Sequence, residues 1–235
     1  MRDVIVTGAG KGLGKAIAKQ LLDDGLRVLA VDREQTLLKS LDAELGNGIE
    51  CFQIDVTDHN AIERFFRSLA DRPLFGLINN AGILLGKSLF EYSTEEIDRV
   101  IDVNLKGAIH FSKFFGNSLV SRKMAGSIVN LSSSSIYGGS DAVYSSTKAA
   151  LVGLTKSCAL SFSPYIRVNA VAPGIVETDL FANIPEETIR RYRSAELVKK
   201  PLQPKDVANT VSFLMSDAGR NYTGSVFDLN NGFHL

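Results

Sequence analysis

Short apolar runs alternate with helix-length periodic stretches almost from one end of the chain to the other. Val4–Thr7, Arg27–Val31, Glu50–Ile54, Leu74–Ile78, Ser127–Leu131, Ile166–Val171 and Ser225–Leu229 read as strands. Several lack the polar alternation of a strand with one wet face, so both faces are expected to be covered. Between them, Ile17, Leu21 and Leu22 recur at helical spacing, as do Ala61, Ile62, Phe65, Phe66 and Leu69, and later Val207, Val211 and Leu214. Each set marks one buried helix face. Asp58 is placed to cap the second of these helices, and Ser93-Thr94-Glu95-Glu96 reads as a capping box.

Strand–helix–strand repetition implies βαβ units, so an α/β protein is expected, with a mostly parallel sheet and helices on both faces. No Pro- or Ser-rich linker, low-complexity tract or repeat interrupts the 235 residues, and one domain spanning 1–235 is expected. Glu177–Gln203, with Pro185, Pro201 and several charges, is the least regular stretch. Apolar residues at 45% and charged residues at 22% exclude wholesale disorder and collagen-like or coiled-coil architecture. The 26 basic side chains cancel the 26 acidic ones, which leaves no global field to draw in nucleic acid or an acidic membrane surface. Cys51 and Cys158, 107 positions apart, form neither a disulfide framework nor a zinc motif, and His59, His110 and His234 are scattered, so no metal is expected. Val4-Ile5-Val6 is too short for a signal segment, and no apolar run approaches ~18 residues. A soluble, cytoplasmic protein is expected.

The first strand runs into Thr7-Gly8-Ala9-Gly10-Lys11-Gly12-Leu13-Gly14, and a helical pattern follows. Glycines there let the backbone approach a pyrophosphate and let a helix N-terminus turn its N–H groups towards it. A plain tight turn is the alternative, and Gly8-x-x-x-Gly12-x-Gly14 departs from the usual G-x-G-x-x-G spacing. The second strand leads to Asp32, where a carboxylate accepts both adenosine ribose hydroxyls and repels a 2′-phosphate. NAD is therefore expected over NADP. Lys11 and Arg33 argue the other way if they neutralise that phosphate, and carry no weight if they are solvated surface charges. Asn79-Asn80-Ala81-Gly82 follows the fourth strand, either at the rim where open α/β sheets bind ligands or as a capping turn. Tyr144 and Lys148, at i and i+4 of a helical segment, share a face. A tyrosine ordinarily titrates near ~10, too high to exchange protons efficiently at neutral pH. A cation ~4 Å away, at an effective dielectric of ~20, is worth roughly 4 kcal/mol, enough to bring Tyr144 close to neutrality.

In chain order, the glycine turn, Asn79-Asn80-Ala81-Gly82, the serines after the fifth strand and the Tyr144/Lys148 pair resemble the short-chain dehydrogenase/reductase family. The resemblance covers essentially the whole chain. It extends to Asp55-Val56, Val103-Asn104, Arg167-Val168-Asn169, Pro173-Gly174-Ile175-Val176-Glu177-Thr178 and Tyr222-Thr223-Gly224. It implies a Rossmann-like doubly wound parallel sheet of about seven strands in a single domain, and NAD(P)-dependent oxidoreductase activity. By that resemblance Tyr144 is the acid/base, and Lys148 lowers its pKa and binds the nicotinamide ribose. A serine holds the substrate oxygen, and Asn104 continues a proton relay through water to Lys148. The glycine turn (Gly8, Gly10, Lys11, Gly12, Leu13, Gly14), Asp32 and Arg33, Asp55 and Val56 beside the adenine, and Asn80, Ala81 and Gly82 would hold the cofactor. Pro173, Gly174, Val176 and Thr178 would hold its nicotinamide end. The family's serine usually lies thirteen positions before the tyrosine, which here is Leu131; matching Asn130-Leu131-Ser132-Ser133 to the strand end selects Ser133, with Ser132 and Ser134 as fallbacks. The ending Leu229-Asn230-Asn231-Gly232 departs from the family's frequent Asp-Gly-Gly, which bears on assembly as a homotetramer or homodimer.

The reaction implied is reversible hydride transfer at a secondary alcohol or ketone carbon of a small molecule. Substrate candidates are a 3-oxoacyl thioester, a small diol or sugar-like ketone, and a cyclic hydroxylated compound. Residues 179–200 are expected to cover the substrate. Phe181, Ile184, Ile189, Tyr192 and Leu197 there are either an apolar lid or the packed face of an amphipathic helix, and Arg190, Arg191 and Arg193 are either a patch for acyl carrier protein or solvated charges. Two rivals remain at this point: a non-catalytic nucleotide-binding regulatory or scaffold protein on the same fold, and a family member that epimerises or dehydrates with tightly held NAD.

Overall fold

Each apolar run becomes a strand of one sheet. The computed structural model describes residues 1–178, 180 and 184–233. Its strands are β1 (Asp3–Thr7), β2 (Arg27–Asp32), β3 (Ile49–Gln53), β4 (Leu74–Asn79), β5 (Gly126–Leu131), β6 (Ile166–Pro173) and β7 (Val226–Leu229). They lie in the order β3-β2-β1-β4-β5-β6-β7 and pair parallel throughout. The third expected strand slips by one: pairing ends at Gln53, and Ile54 lies beyond the sheet. The helices are α1 (Gly12–Asp23), α2 (Gln35–Leu45), α3 (His59–Ser68), α4 (Thr94–Ile101), α5 (Gly107–Val120), α6 (Ala142–Ser161), α7 (Glu186–Ala195) and α8 (Pro204–Met215).

Strand side chains alternate between two cores. Val4, Val6, Val28, Ala30 and Val129 meet Ile17 and Leu21 of α1, Leu38 of α2 and Val207, Val211 and Leu214 of α8. Ile5, Leu29, Leu77, Ile128 and Val168 meet Ile62, Phe65 and Phe66 of α3 and Phe111 and Phe115 of α5. A fully buried Leu, Ile or Phe contributes about 1.5–3 kcal/mol, so covering both faces is what holds the sheet in place. The expected caps form as well. Asp58 Oδ1 accepts from Ala61 N at 2.9 Å, and Ser93 and Glu96 cap reciprocally. Both cysteines are free, and no helix among the described residues is long and apolar enough to cross a membrane.

This strand order sets the site. The chain leaves β1 towards β2 on one side and later returns to place β4 on the other. Loops above the C-terminal ends of β1 and β4 therefore diverge and open a crevice, where doubly wound sheets bind ligands.

Candidate active site

The glycine turn is built for close approach. Gly8 and Gly12 hold φ of +63° and +56°, left-handed values that only glycine adopts without strain. A Cβ on Gly14 would fall 2.0 Å from the Gly8 carbonyl oxygen. The α1 N-cap, Lys11, makes no side-chain cap, so the first N–H groups of the helix are left without a side-chain partner there. From β2, Asp32 reaches across: its Oδ2 accepts from Gly10 N at 2.9 Å and its Oδ1 from Glu34 N at 3.0 Å. Each carboxylate oxygen keeps acceptor capacity for a further donor. Thr7 and Asn80 staple the two diverging loops. Thr7 Oγ1 accepts from Asn80 N and Ala81 N, and Asn80 Nδ2 donates to the carbonyls of Thr7 and Gly8 at 2.9 and 3.0 Å.

Above these groups lies a cavity of about 360 Å³ that runs from Asp32 and Asp55 past Gly8, Gly12 and Asn80 to Tyr144 and Lys148. It is elongated, carries an open helix N-terminus midway and a carboxylate at one end, and its floor has no room for side chains. These features fit an extended dinucleotide. Lys11, Leu13, Arg33, Val56, Ala81, Gly82 and Thr178 also line it. Gly10 and Gly14 do not. They shape the turn from behind, since a Cβ on Gly10 would lie 2.9 Å from Asp32 Oδ2. Of the segment expected at the nicotinamide end, Gly174 lines a neighbouring pocket instead, and the Val176 side chain is spent in the core. Pro173, the last residue of β6, lines neither space, so any contact from Pro173 or Val176 is through the backbone.

Tyr144 and Lys148 lie in the first two turns of α6, and both are buried. Lys148 Nζ donates to the Leu131 carbonyl at 2.7 Å and lies 5.5 Å from the centre of the Tyr144 ring. Ser133, two residues past the end of β5, lies beside the phenol and favours the phenolate, while its own Oγ accepts from Ser135 N. Ser132 points elsewhere, donating to the Lys148 carbonyl at 2.8 Å. The expectation that Lys148 brings Tyr144 towards neutrality does not hold in this chain. Burial dominates, and pushes the phenol up to about 12, with Asp141 adding to the rise. The same burial pulls the Lys148 ammonium down to about 8. The cation is directed at a carbonyl rather than at the phenol oxygen, so desolvation of both charged forms wins.

Asn104 sits in a π-helical turn, Asp102–Lys106, between α4 and α5. That turn sends its amide inward, where Oδ1 accepts from Ile83 N at 2.8 Å and Nδ2 donates to the Ile83 carbonyl at 2.9 Å. A Cβ on Gly82 would lie 3.4 Å from both Asn104 Oδ1 and Lys148 Nζ, so the two groups flank this glycine. Asn104 lines neither cavity itself.

A second, smaller pocket of about 80 Å³ meets the first at Tyr144, which lines both. Of the expected lid, Ile184 and Tyr192 line it, Leu197 is mostly exposed and lies against Gly232, and Phe181 lies outside the described residues. No residue of α7 is fully buried, so this helix is not packed as a core element. Arg190 and Arg193 face Glu186 and Glu177, and Arg191 lies over the Tyr192 ring. Arg167 and Tyr222-Thr223 are structural: the guanidinium ties the carbonyls of Leu214 and Gly219, and Thr223 Oγ1 accepts from Val168 N.

The sequence reading missed Asp141, the N-cap of α6. Its Oδ1 accepts from Tyr144 N at 2.9 Å, and its Oδ2 accepts from Tyr92 Oη at 2.7 Å and Gly86 N at 3.0 Å. An aspartate three residues ahead of Tyr144 was a readable cap signal. Its distant partners were not readable.

A family model described as enoyl-(acyl carrier protein) reductase matches residues 8–234. The chain is 37% identical over 237 residues to an L-xylulose reductase from Homo sapiens, covering 99% of this chain and 96% of the other. To carbonyl reductase (NADPH) 2 from Sus scrofa it is 36% identical over 234 residues, covering 97% and 95%. The crystal structure of a short-chain dehydrogenase/reductase, a glucose/ribitol dehydrogenase from Brucella melitensis, superposes with a TM-score of 0.93 at 29% identity, covering 100% of this chain and 97% of that one.

Proposed function

The chain belongs to the short-chain dehydrogenase/reductase family of NAD(P)-dependent oxidoreductases acting on CH–OH groups, and from that premise we propose how its own residues perform the reaction. The observation that carries the proposal is Tyr144, buried near Ser133 and Lys148 where the long cavity and the small pocket meet, with Leu84 the other described residue that lines both. A dinucleotide held in the long cavity by Gly8, Gly12, Asp32 and Asn80 would supply or accept the hydride at a carbon held in the small pocket.

Tyr144 gives its proton to the carbonyl oxygen during reduction and takes it back during oxidation. Burial keeps the phenol protonated at rest, which is the form that reduction consumes. Ser133 hydrogen-bonds the substrate oxygen, Lys148 holds the nicotinamide ribose, and Asn104 continues the proton path through water to Lys148. Gly8, Gly10, Lys11, Gly12, Leu13 and Gly14 form the pyrophosphate cradle. Asp55 and Val56 flank the adenine, Asn80, Ala81 and Gly82 form the wall beside the ribose, and Pro173, Gly174, Val176 and Thr178 meet the nicotinamide end.

NAD is the proposed cofactor. Asp32 projects into the cavity with its carboxylate fixed by two backbone N–H groups, so a 2′-phosphate there meets a charge that cannot swing away. The rival reading rests on Lys11 and Arg33, which line the same end, and on the NADPH in the name of the porcine relative. Michaelis constants for both cofactors separate the two: a lower value for NAD supports Asp32 as the selector, and a lower value for NADP overturns it. A panel of alcohols and ketones, followed by nicotinamide absorbance, tests the activity itself. Cofactor binding without turnover of any member would favour the non-catalytic reading, to which reductase-named relatives lend no support. The same proposal takes the protein to be cytoplasmic, in keeping with two unpaired cysteines. It also takes it to be a homodimer or homotetramer, in keeping with exposed Leu89 and Phe90.

A further inference from the structure

The small pocket holds more chemistry than the reacting oxygen needs. Ser135 Oγ and Ser145 Oγ are buried and have no hydrogen-bond partner among the described residues. Both side chains line the pocket and close on Gly139, where a Cβ would lie 2.7 Å from Ser145 Oγ and 3.1 Å from Ser135 Cβ. A buried hydroxyl left unpaired carries a desolvation cost that a bound ligand can relieve. In sequence, Ser145 follows Tyr144 and Ser135 lies two after Ser133, so the unpaired pair sits next to the two groups that hold the reacting oxygen.

The wall is also one-sided in charge. Asp141 and Glu196 line it, both buried, and no Lys or Arg does so among the described residues. Asp141 has three donors on its two oxygens, and Glu196 Oε2 accepts from Asn231 Nδ2 at 3.1 Å. Neither carboxylate has a basic side chain as a hydrogen-bond or salt-bridge partner among the described residues, and Lys199 Nζ donates to the backbone carbonyl of Glu196 rather than to its carboxylate. Of the nearby cations, Lys148 lines the long cavity, and Lys199 does not line the small pocket. Leu84, Ile175, Ile184 and Phe233 complete the wall with apolar surface. The space is small, about 80 Å³.

We propose, resting on the oxidoreductase reading above, that the pocket selects a short, uncharged α-hydroxy ketone and its vicinal diol. Ser135 and Ser145 bind the hydroxyl next to the reacting carbon, and Glu196 with Asp141 turns away carboxylated and phosphorylated analogues. The second hydroxyl takes no part in electron transfer. The hydride goes to the carbonyl carbon and the Tyr144 proton to its oxygen, as in the parent reaction.

The test compares kcat/KM for acetoin against butanone, and for dihydroxyacetone against dihydroxyacetone phosphate, in the wild type and in variants whose thermal unfolding midpoints are checked. Acetoin is expected to exceed butanone about a hundredfold, because a site built to bond a hydroxyl leaves its own groups unpaired when the hydroxyl is missing. Ser135→Ala/Ser145→Ala should shrink that ratio about tenfold. Dihydroxyacetone should exceed its phosphate about a hundredfold, and Glu196→Gln should narrow that gap about tenfold. Butanone equal to acetoin, a ratio unmoved by the double serine variant, or preference for the phosphate overturns this inference and leaves the oxidoreductase reading standing. Failure to turn over any of the four, together with failure of the wider alcohol and ketone panel, overturns both.

Discussion

Burial acts on Tyr144 and Lys148 through the charged form of each, so one cause moves them in opposite directions: the phenol up to about 12, the ammonium down to about 8. The lysine makes a stability prediction. Below about pH 8 it is protonated in both folded and unfolded chains, and the folded state bears the full cost of burying the charge. Between about 8 and its ordinary value of 10.5 only the unfolded chain holds the proton, so stability rises with pH across that window. The rise is on the order of 3 kcal/mol. Urea unfolding at the two ends of the window should show wild type gaining on Lys148→Met, and an equal pH response in both proteins would contradict the assignment. Tyr144 works the other way higher up, holding its proton when the unfolded chain has lost it, so stability falls between 10 and about 12. The serines give a second prediction at this scale. Ser133→Ala, which removes the phenol's partner, should lower turnover by about 10²-fold or more, in the range of a lost oxyanion-type donor. Ser132→Ala, which removes a bond to the Lys148 carbonyl, should act mainly on stability. Comparable turnover losses in the two would refute the choice of Ser133.

Among the elements, α6 matters most, and Asp141 fixes its entry. One carboxylate receives the Tyr144 N–H at the start of this helix together with Gly86 N and Tyr92 Oη from the segment after β4, so the proposed acid/base and the wall facing it are located by a single side chain. Asparagine offers only one acceptor oxygen, and its NH₂ would face donors. Asp141→Asn is therefore expected to destabilise the fold by about 1–3 kcal/mol and to lower kcat more than it raises the KM for the cofactor. Denaturant unfolding and steady-state kinetics check both, and a variant as stable as wild type with unchanged kcat would remove Asp141 from this role. This element also marks where sequence reading stops. The Tyr144/Lys148 spacing is local and helical, so it was visible. The bond from Asp141 to Tyr92 spans 49 positions and depends on how two loops meet above the sheet. Asn104 is a middle case: its identity was visible, but the π turn that points it inward has no periodicity signal.

For the molecule as a whole, seven apolar runs and the helices between them were legible because a parallel sheet buried on both faces writes itself as continuous Val, Ile and Leu. The slip of β3 by one residue was not, since Ile54 reads as a continuation of apolar Cys51 and Phe52 and only pairing shows that it belongs to the crevice rather than to the sheet. Strand order is not written in the periodicity, yet it is the order that sets β1 beside β4 with their loops diverging, and so makes the cavity. The small pocket's one-sided charge was illegible because Asp141 and Glu196 come from segments that only the fold brings together. The account rests on Tyr144 standing between the two cavities as the group that moves the proton. Its most direct test is a single-turnover measurement of hydride transfer, with saturating cofactor and a ketone found in the panel, for wild type and Tyr144→Phe. The account predicts a rate about 10²–10⁴-fold lower in the variant with cofactor binding retained, the range for a lost general acid; a Tyr144→Phe rate within a few fold of wild type would contradict it.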